Sequence, residues 1–473
     1  MTATLTAPRT ATTRLMWATL ALVLLAEGLD VIDSTITNIA APTIARDLHG
    51  GEALIKWLGP AYMLAMGVLL VVGGRLGDKF GQRRLFLIGM GGFTLASTVA
   101  GLSPHPALLV LARAAQGAFG ALLLPQGMAI MTKTFSREML GKAFGLFGPV
   151  LGLASLGGPI LAGFVISADL FGLSWRPIFL VNVILGVAAL VMASKILPRD
   201  DGGNRSTVVD GWGSGLLAAA MFGLLYGLID GSTHGWGAAP VATIVIGVVL
   251  FGAFAYRQRT ATYPLISPSL LKNRGFTSGL LVCLVAVAAG TGLIFVMSLF
   301  LQVGLHASAR AASVGLLPLT GGIVAAGFAA MGGLVARLGR TLVVTGLAIV
   351  LAGCGGVLAL VVYSGTKLSL WALAPVLFVI GVGISLSFAT IPTVALGDVS
   401  PDEAGTASGS FSSVQQLASA VGSAAVTSVF FHAAASGFGH AMTICLLVVA
   451  ALTALSLPLV ALMPRNAPAE PQP

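Results

Sequence analysis

Residues 16–41 read MWATLALVLLAEGLDVIDSTITNIAA, an apolar run that carries three carboxylates, Glu27, Asp30 and Asp33. A helix that crosses a bilayer takes ~20 mostly apolar residues, and this run is long enough. Arg9 and Arg14 precede it, as basic residues precede a secretory leader. A leader's apolar core is shorter, about 7–15 residues, and carries no such acids. The segment is therefore expected to be a retained first span. The three acids stand at i, i+3 and i+6, within about 120° of one helical face. A carboxylate at the bilayer centre costs ~2.5–3.5 kcal/mol on insertion scales, so three of them facing lipid would cost on the order of 9 kcal/mol. That face must look into protein or a water-filled cavity, and the rest of the chain has to supply it.

The composition agrees. Of 473 residues only 9% are Asp, Glu, Lys or Arg, and 56% are hydrophobic. Ordinary globular chains carry ~25% charged residues. The mean hydropathy is +0.98. Such a chain cannot cover a water-facing surface, and an all-α polytopic membrane protein is what remains. Apolar runs punctuated by Gly, Pro and charge predict fourteen spans, at about 16–41, 54–74, 84–102, 107–130, 141–167, 175–194, 211–230, 239–256, 276–303, 310–335, 341–362, 369–395, 404–431 and 439–462.

The cations fix an orientation for these spans. Nineteen Lys and Arg fall on the side of the two termini. Five (Arg46, Lys56, Arg176, Arg310 and Lys367) fall on the other, and Arg113 alone lies inside a helix, which accounts for all 25. Positive residues stay in the cytoplasm, so both termini are expected there. The net charge of +9 has no long basic block behind it, so topology, not nucleic acid, explains it.

Several chemistries find no residues to perform them. Residues 73–79, GGRLGDK, are glycine-rich but lack the spacing of a phosphate-binding loop. Cys283, Cys354 and Cys445 lie in apolar runs without metal-type spacing and are expected to be buried and unpaired. His49, His105, His234, His306, His432 and His440 fall near span ends and form no constellation. No cofactor is expected, and any movement of solute must draw on a gradient.

A faint repeat runs through the chain. GRLGDKFGQRR, residues 74–84, follows the second span, and GGLVARLGR, residues 332–340, follows the second of the last six. Two six-helix halves with an inserted pair explain this, an architecture that in transporters rocks around a midplane site. The expected division is a tail at 1–15, a bundle at 16–198, a linker with two extra helices at 199–275, a bundle at 276–463 and a tail at 464–473. Arg113 and Asp33 lie at similar depths, ~9 and ~12 Å from the span ends at helical rise, so the acid is the natural partner of the guanidinium. The fifth span carries Gly145, Gly148, Pro149, Gly152, Gly157, Gly158, Pro159 and Gly163. Small residues allow close helix approach and Pro bends a helix, as expected at a seam between bundles.

Together these stretches resemble the major facilitator superfamily, and within it the fourteen-span drug:proton antiporters. The matching segments are DSTITNIAAP at 33–42, the motif at 74–84, residues 109–117 with Arg113 and Gln116, GPILAG at 158–163, and residues 398–416. The sequence departs from the family pattern at Gln82, Ala162 and Ala336. The resemblance implies a major facilitator fold of two six-helix bundles plus two linking helices. It also implies a proton-coupled exporter of amphipathic small molecules such as drugs or antibiotics, in the plasma membrane. Asp33 would be the first-helix acid of proton coupling, with Asp30 and Glu27 beside it, and Arg113 its relay base. Gly74, Asp78, Gly81, Arg83 and Arg84 would form a conformational latch in the loop after the second span. Gly157, Gly158, Pro159 and Gly163 would be the antiporter motif. The expected partners are cargo, protons and lipid, with no nucleic acid, and the protein is expected to be a monomer. The alternatives are a proton-coupled uptake symporter for a polar solute, a lipid-acting membrane enzyme and a channel.

Overall fold

A computed structural model of the chain describes residues 13–135, 139, 143, 146–200, 203, 209–364, 368–400 and 403–465. Of the residues named above, Arg9, Gly145 and Lys367 lie outside these. Among the described residues, fourteen helices are long and apolar enough to cross a membrane. They are α1 (Thr13–Asp47), α2 (Gly51–Phe80), α3 (Gln82–Gly101), α4 (Pro106–Thr134), α5 (Phe147–Ala168), α6 (Pro177–Ile196) and α7 (Gly211–His234). The chain continues with α8 (Ala238–Thr260), α9 (Arg274–Leu299), α10 (Ala309–Ala329), α11 (Arg340–Ser364), α12 (Leu370–Ala395), α13 (Ala404–Ala434) and α14 (Phe438–Val460). A π-helical turn, Phe300–Gly304, extends α9, and another, Ala330–Leu334, extends α10. An even number of spans brings Thr13 and Arg465 to the same end, here termed proximal; the opposite end is distal.

The faint repeat in sequence is a repeat in packing. α4 packs along α2 and α3, and α12 packs along α10 and α11. α3 meets α6 as α11 meets α14, and α1 meets α5 and α6 as α9 meets α13 and α14. The tightest of these contacts rest on glycine. A Cβ on Gly117 of α4 would fall on the carbonyl of Tyr62 in α2, and a Cβ on Gly381 of α12 on the carbonyl of Leu319 in α10. The two copies of the charged motif end alike, at Gly81 with φ 99° and Gly339 with φ 48°, both in the region that disfavours side chains.

The two groups of helices join through α2 against α13 and α5 against α10. One buried apolar cluster crosses between them in the distal half, with Ile36, Ile39 and Leu48 on one side and Leu293, Val296 and Phe430 on the other. The inserted pair packs α7 on α8, and α7 alone of the two reaches α2 and α13 in force. α8 turns Val241, Val245, Val248 and Val249 outward, an apolar face suited to lipid.

Two helix ends differ from the sequence expectation. α1 passes through Pro42 to Asp47 where the proline predicts a stop. Proline removes the N–H that would bond the carbonyl four residues earlier. Here that carbonyl, Asn38 O, accepts a hydrogen bond from Ser298 Oγ of α9 at 3.2 Å. α2 runs to Phe80, so residues 74–80 are not a loop but the last turns of a helix, and only Gly81 turns the chain.

Candidate functional site

Asp33 lies midway along α1 with a side-chain exposure of 0%. Arg113 of α4, 1% exposed, forms an ion pair with it through Nη1 and Oδ2. The other carboxylate oxygen, Oδ1, accepts from Asn182 Nδ2 of α6 at 2.5 Å and from Gln116 Nε2 of α4 at 3.2 Å. Gln116 Oε1 accepts from Arg113 Nη1 at 2.9 Å, and Gln116 Nε2 also donates to Ser97 Oγ of α3 at 2.8 Å. Arg113 Nε donates to the carbonyl of Leu58 in α2 at 3.2 Å. The guanidinium stacks over the Tyr62 ring, 4.5 Å to its centroid, with the Phe179 ring of α6 at 5.8 Å. Five helices thus place one polar cluster inside an apolar bundle, where each buried polar group needs a partner. Asn182 Oδ1 is buried without one among the described residues.

The pairing of Asp33 with Arg113 agrees with the depth match read from the sequence. Asp30 accepts from the Tyr62 hydroxyl, so Tyr62 touches both Asp30 and Arg113. Asp30 and Glu27 are half-buried, one and two turns nearer the proximal end than Asp33. The acids form a graded row, from partly accessible to sealed. Tyr62 and Asn182 carry no sequence signal beyond being polar residues within apolar runs.

Asp78 stands exposed on the last turn of α2, not in a loop. The acid that closes the N-terminus of α3 is Asp200, which sequence reading missed. Its carboxylate accepts from the backbone N–H groups of Arg83 and Arg84, each at 3.0 Å. Arg83 Nη2 donates to Ser194 O at 2.8 Å. A Cβ at Gly81 would collide with the Asp200 side chain, whereas Gly74 has Pro125 at ordinary contact distance, 3.7 Å. Gly81, Arg83 and Arg84 thus lie where α2, α3 and the segment after α6 meet, whereas Gly74 faces α4. Asp200 is 117 residues from Arg83, a separation at which no local pattern signals a cap.

In α5, Gly158 faces Thr35 and the Ile32 carbonyl of α1, and Gly163 faces Ser313 and the Cα of Arg310 in α10. A Cβ at Gly157 would meet nothing. Pro159 lies inside the helix. The motif therefore sits on both sides of the seam, with one glycine against each group of helices.

Lys56 corrects the charge reading. It is not a loop cation: its side chain lies inside α2 with 0% exposure, so Arg113 is not the only cation within a span. Outside the spans, Asp210 caps α7, accepting from Gly213 N at 2.9 Å and from Arg257 Nε and Nη2 of α8 at 2.9 and 2.6 Å. Burial pushes its carboxyl up, but the Arg257 and Gly213 hydrogen bonds outweigh this and hold it below the usual carboxylate value. The three cysteines are buried and free, as expected.

The probable actinorhodin transporter of Streptomyces coelicolor is 37% identical over 419 residues, covering 88% of this chain and 72% of that protein. The tetracenomycin C resistance and export protein of Streptomyces glaucescens is 32% identical over 411 residues, 86% of this chain and 74% of that one. The human organic anion transporter MFSD10 shares the fold, with a TM-score of 0.62 at 15% identity over 94% of this chain and 99% of its own. The profile of the Major Facilitator Superfamily matches residues 23–423. With fourteen candidate spans and a repeated six-helix packing, the chain belongs to the Major Facilitator Superfamily of multi-pass membrane transporters, not to a class of enzymes.

Proposed function

We propose that the protein is a proton-driven exporter of amphipathic small molecules of the drug or antibiotic class. The observation that carries this is the fully buried Asp33–Arg113 pair in mid-span, with Asp30 and Glu27 stepping away from it toward the proximal end. An ionisable residue inside a membrane bundle marks a substrate or proton path, because its cost is otherwise unrecovered. Arg113 keeps its charge at any physiological pH and so favours ionised Asp33 while the two are in contact. When the helices shift and that contact loosens, Asp33 takes a proton and loses its attraction to Arg113. Asp30, joined to Arg113 through Tyr62, is the second proton site, and Glu27 is the outermost. Export rather than uptake is favoured by the glycine–proline motif of α5 and by relatives named for resistance and export; a proton-coupled symporter is the second reading.

The same reading assigns the packed motif of Gly74, Gly81, Arg83 and Arg84, with exposed Asp78, to the switch between two states. It divides the chain into bundles at 16–198 and 276–463 joined by 199–275. It sets a monomer in the plasma membrane with the proximal end cytoplasmic. Purified protein in liposomes under an imposed pH gradient tests the coupling. Asp33→Asn should lose gradient-driven concentration of a cationic dye while retaining dye exchange without a gradient. A variant that still concentrates dye with an unchanged pH profile would move the role to Asp30. For orientation, Trp236→Cys should react with an impermeant thiol reagent from outside intact cells, and Tyr263→Cys should not; the reverse pattern inverts the topology.

A further inference from the structure

Lys56 is a buried cation that the proton pathway does not use. Its ammonium lies 3.1 Å from Ser232 Oγ and 3.1 Å from Thr233 Oγ1, both in the last turn of α7, and 3.4 Å from the Ser232 carbonyl. Glu52 Oε2, one turn earlier on α2, is 3.4 Å away, but that carboxylate is 49% exposed and screened by water. The Phe431 ring of α13 faces the ammonium at 5.3 Å. The hydroxyls of Ser232 and Ser428 of α13 lie 3.0 Å apart, within hydrogen-bond distance. Three helices from three parts of the chain meet here: α2 of the first bundle, α7 of the inserted pair and α13 of the second bundle. The junction lies in the distal half, on the side of the molecule where α2 and α13 close together.

We propose that Lys56 is a positioning residue for the transport cycle, which holds the distal end closed by tying the inserted α7–α8 pair to α2 and, through Ser232 and Phe431, to α13. A buried ammonium deprived of its acceptors is strongly disfavoured. Opening the distal end separates α2 from α13, and α7 can then follow only one of them. If α7 leaves with α13, Lys56 loses its three acceptors; if it stays with α2, the Ser232–Ser428 contact and the Phe431 ring are lost. Either way part of this junction exists only in the closed state, and differential interaction of this kind is what sets a two-state population. The inserted pair is then part of the gate, not a spacer. This inference rests on rocking of the two bundles and not on which ion drives transport.

Spin labels at Leu102 and Tyr363, exposed distal positions at the ends of α3 and α11, report the opening as a pulsed electron paramagnetic resonance distance in nanodiscs. The native cysteines are buried. Lys56→Met should raise the long-distance, distal-open population about fivefold or more over the unsubstituted background, as typical couplings do. Ser232→Ala with Thr233→Val should shift it in the same direction, and Glu52→Gln should leave it within about twofold. Unchanged distances in both folded variants would overturn the proposal. Should Lys56→Met fail to fold, the Ser232→Ala/Thr233→Val variant decides alone, since it leaves the ammonium in place.

Discussion

The first and second bundles share a skeleton but not a core. Gly117 meets the carbonyl of Tyr62, and Gly381 meets that of Leu319; Gly158 meets the Ile32 carbonyl, and Gly422 that of Ala288. Counting from these contacts, Leu319, Leu377, Ile380 and Ala289 stand where Tyr62, Arg113, Gln116 and Asp33 stand. All four belong to one buried apolar cluster. Among the described residues beyond Gln258, the buried polar side chains are all Ser or Thr. One half therefore carries an ion pair with a hydrogen-bond shell, and its repeat carries aliphatic packing at the same places. Backbone geometry alone does not require the charges, since the second bundle forms without them. In the proposed mechanism the charges of the first bundle serve proton coupling, not the fold.

The largest test of that contrast exchanges the cores. Arg113→Leu leaves Asp33 buried and unpaired and should cost about 3–5 kcal/mol. Leu377→Met, a volume-conserving change at the matching place, should cost less than ~1.5 kcal/mol. Adding Asp33→Ala to Arg113→Leu should recover part of the loss, as apolar replacements of buried pairs do. Thermal unfolding of the purified protein measures all three, and equal costs for Arg113→Leu and Leu377→Met would erase the distinction. A smaller effect probes what the halves share. Gly117→Ala and Gly381→Ala each press a methyl group onto a carbonyl and should cost about 1–3 kcal/mol apiece; a cost at only one would show that the skeletons differ. The smallest effect concerns the inserted pair, which has no counterpart in either half. Asp210→Ala removes the α7 cap and should cost ~0.5–2 kcal/mol at neutral pH. Because the folded protein lowers this carboxyl's pKa, the advantage of Asp210 over Ala is fully present above the ordinary value of 3.8 and is lost as pH falls through the lowered one. Unfolding temperatures of both proteins across acidic pH would show the two curves converging.

The sequence revealed the charges far from the span ends and little of what surrounds them. Three acids on one face and an arginine at matching depth admit few arrangements, so Asp33 and Arg113 could be paired from spacing alone. Asn182 and Tyr62 could not, since an amide or a phenol in an apolar helix signals no partner until the helices are packed. Lys56 misled because a lysine near a span end normally extends toward water; here α7, brought in from 176 residues away, covers it. Residues 74–80 misled because a cluster of charges marks the end of the apolar stretch but not of the helix, which runs on to Phe80. Pro42 misled because the acceptor it frees is satisfied by Ser298, 260 residues later.

The ion pair also sets a timetable for the ribosome. Asp33 leaves the ribosome 80 residues before Arg113 and 149 before Asn182. At roughly 5–20 residues per second, α1 waits ~4–16 s for its arginine, holding three acids beside the insertion machinery. Facing lipid in the interval, that helix would carry the full cost of its acids until α4 is made. Assembly of the first bundle is therefore paced by the synthesis of one arginine, while the second bundle, with no buried charge among its described residues, can pack each helix as it emerges.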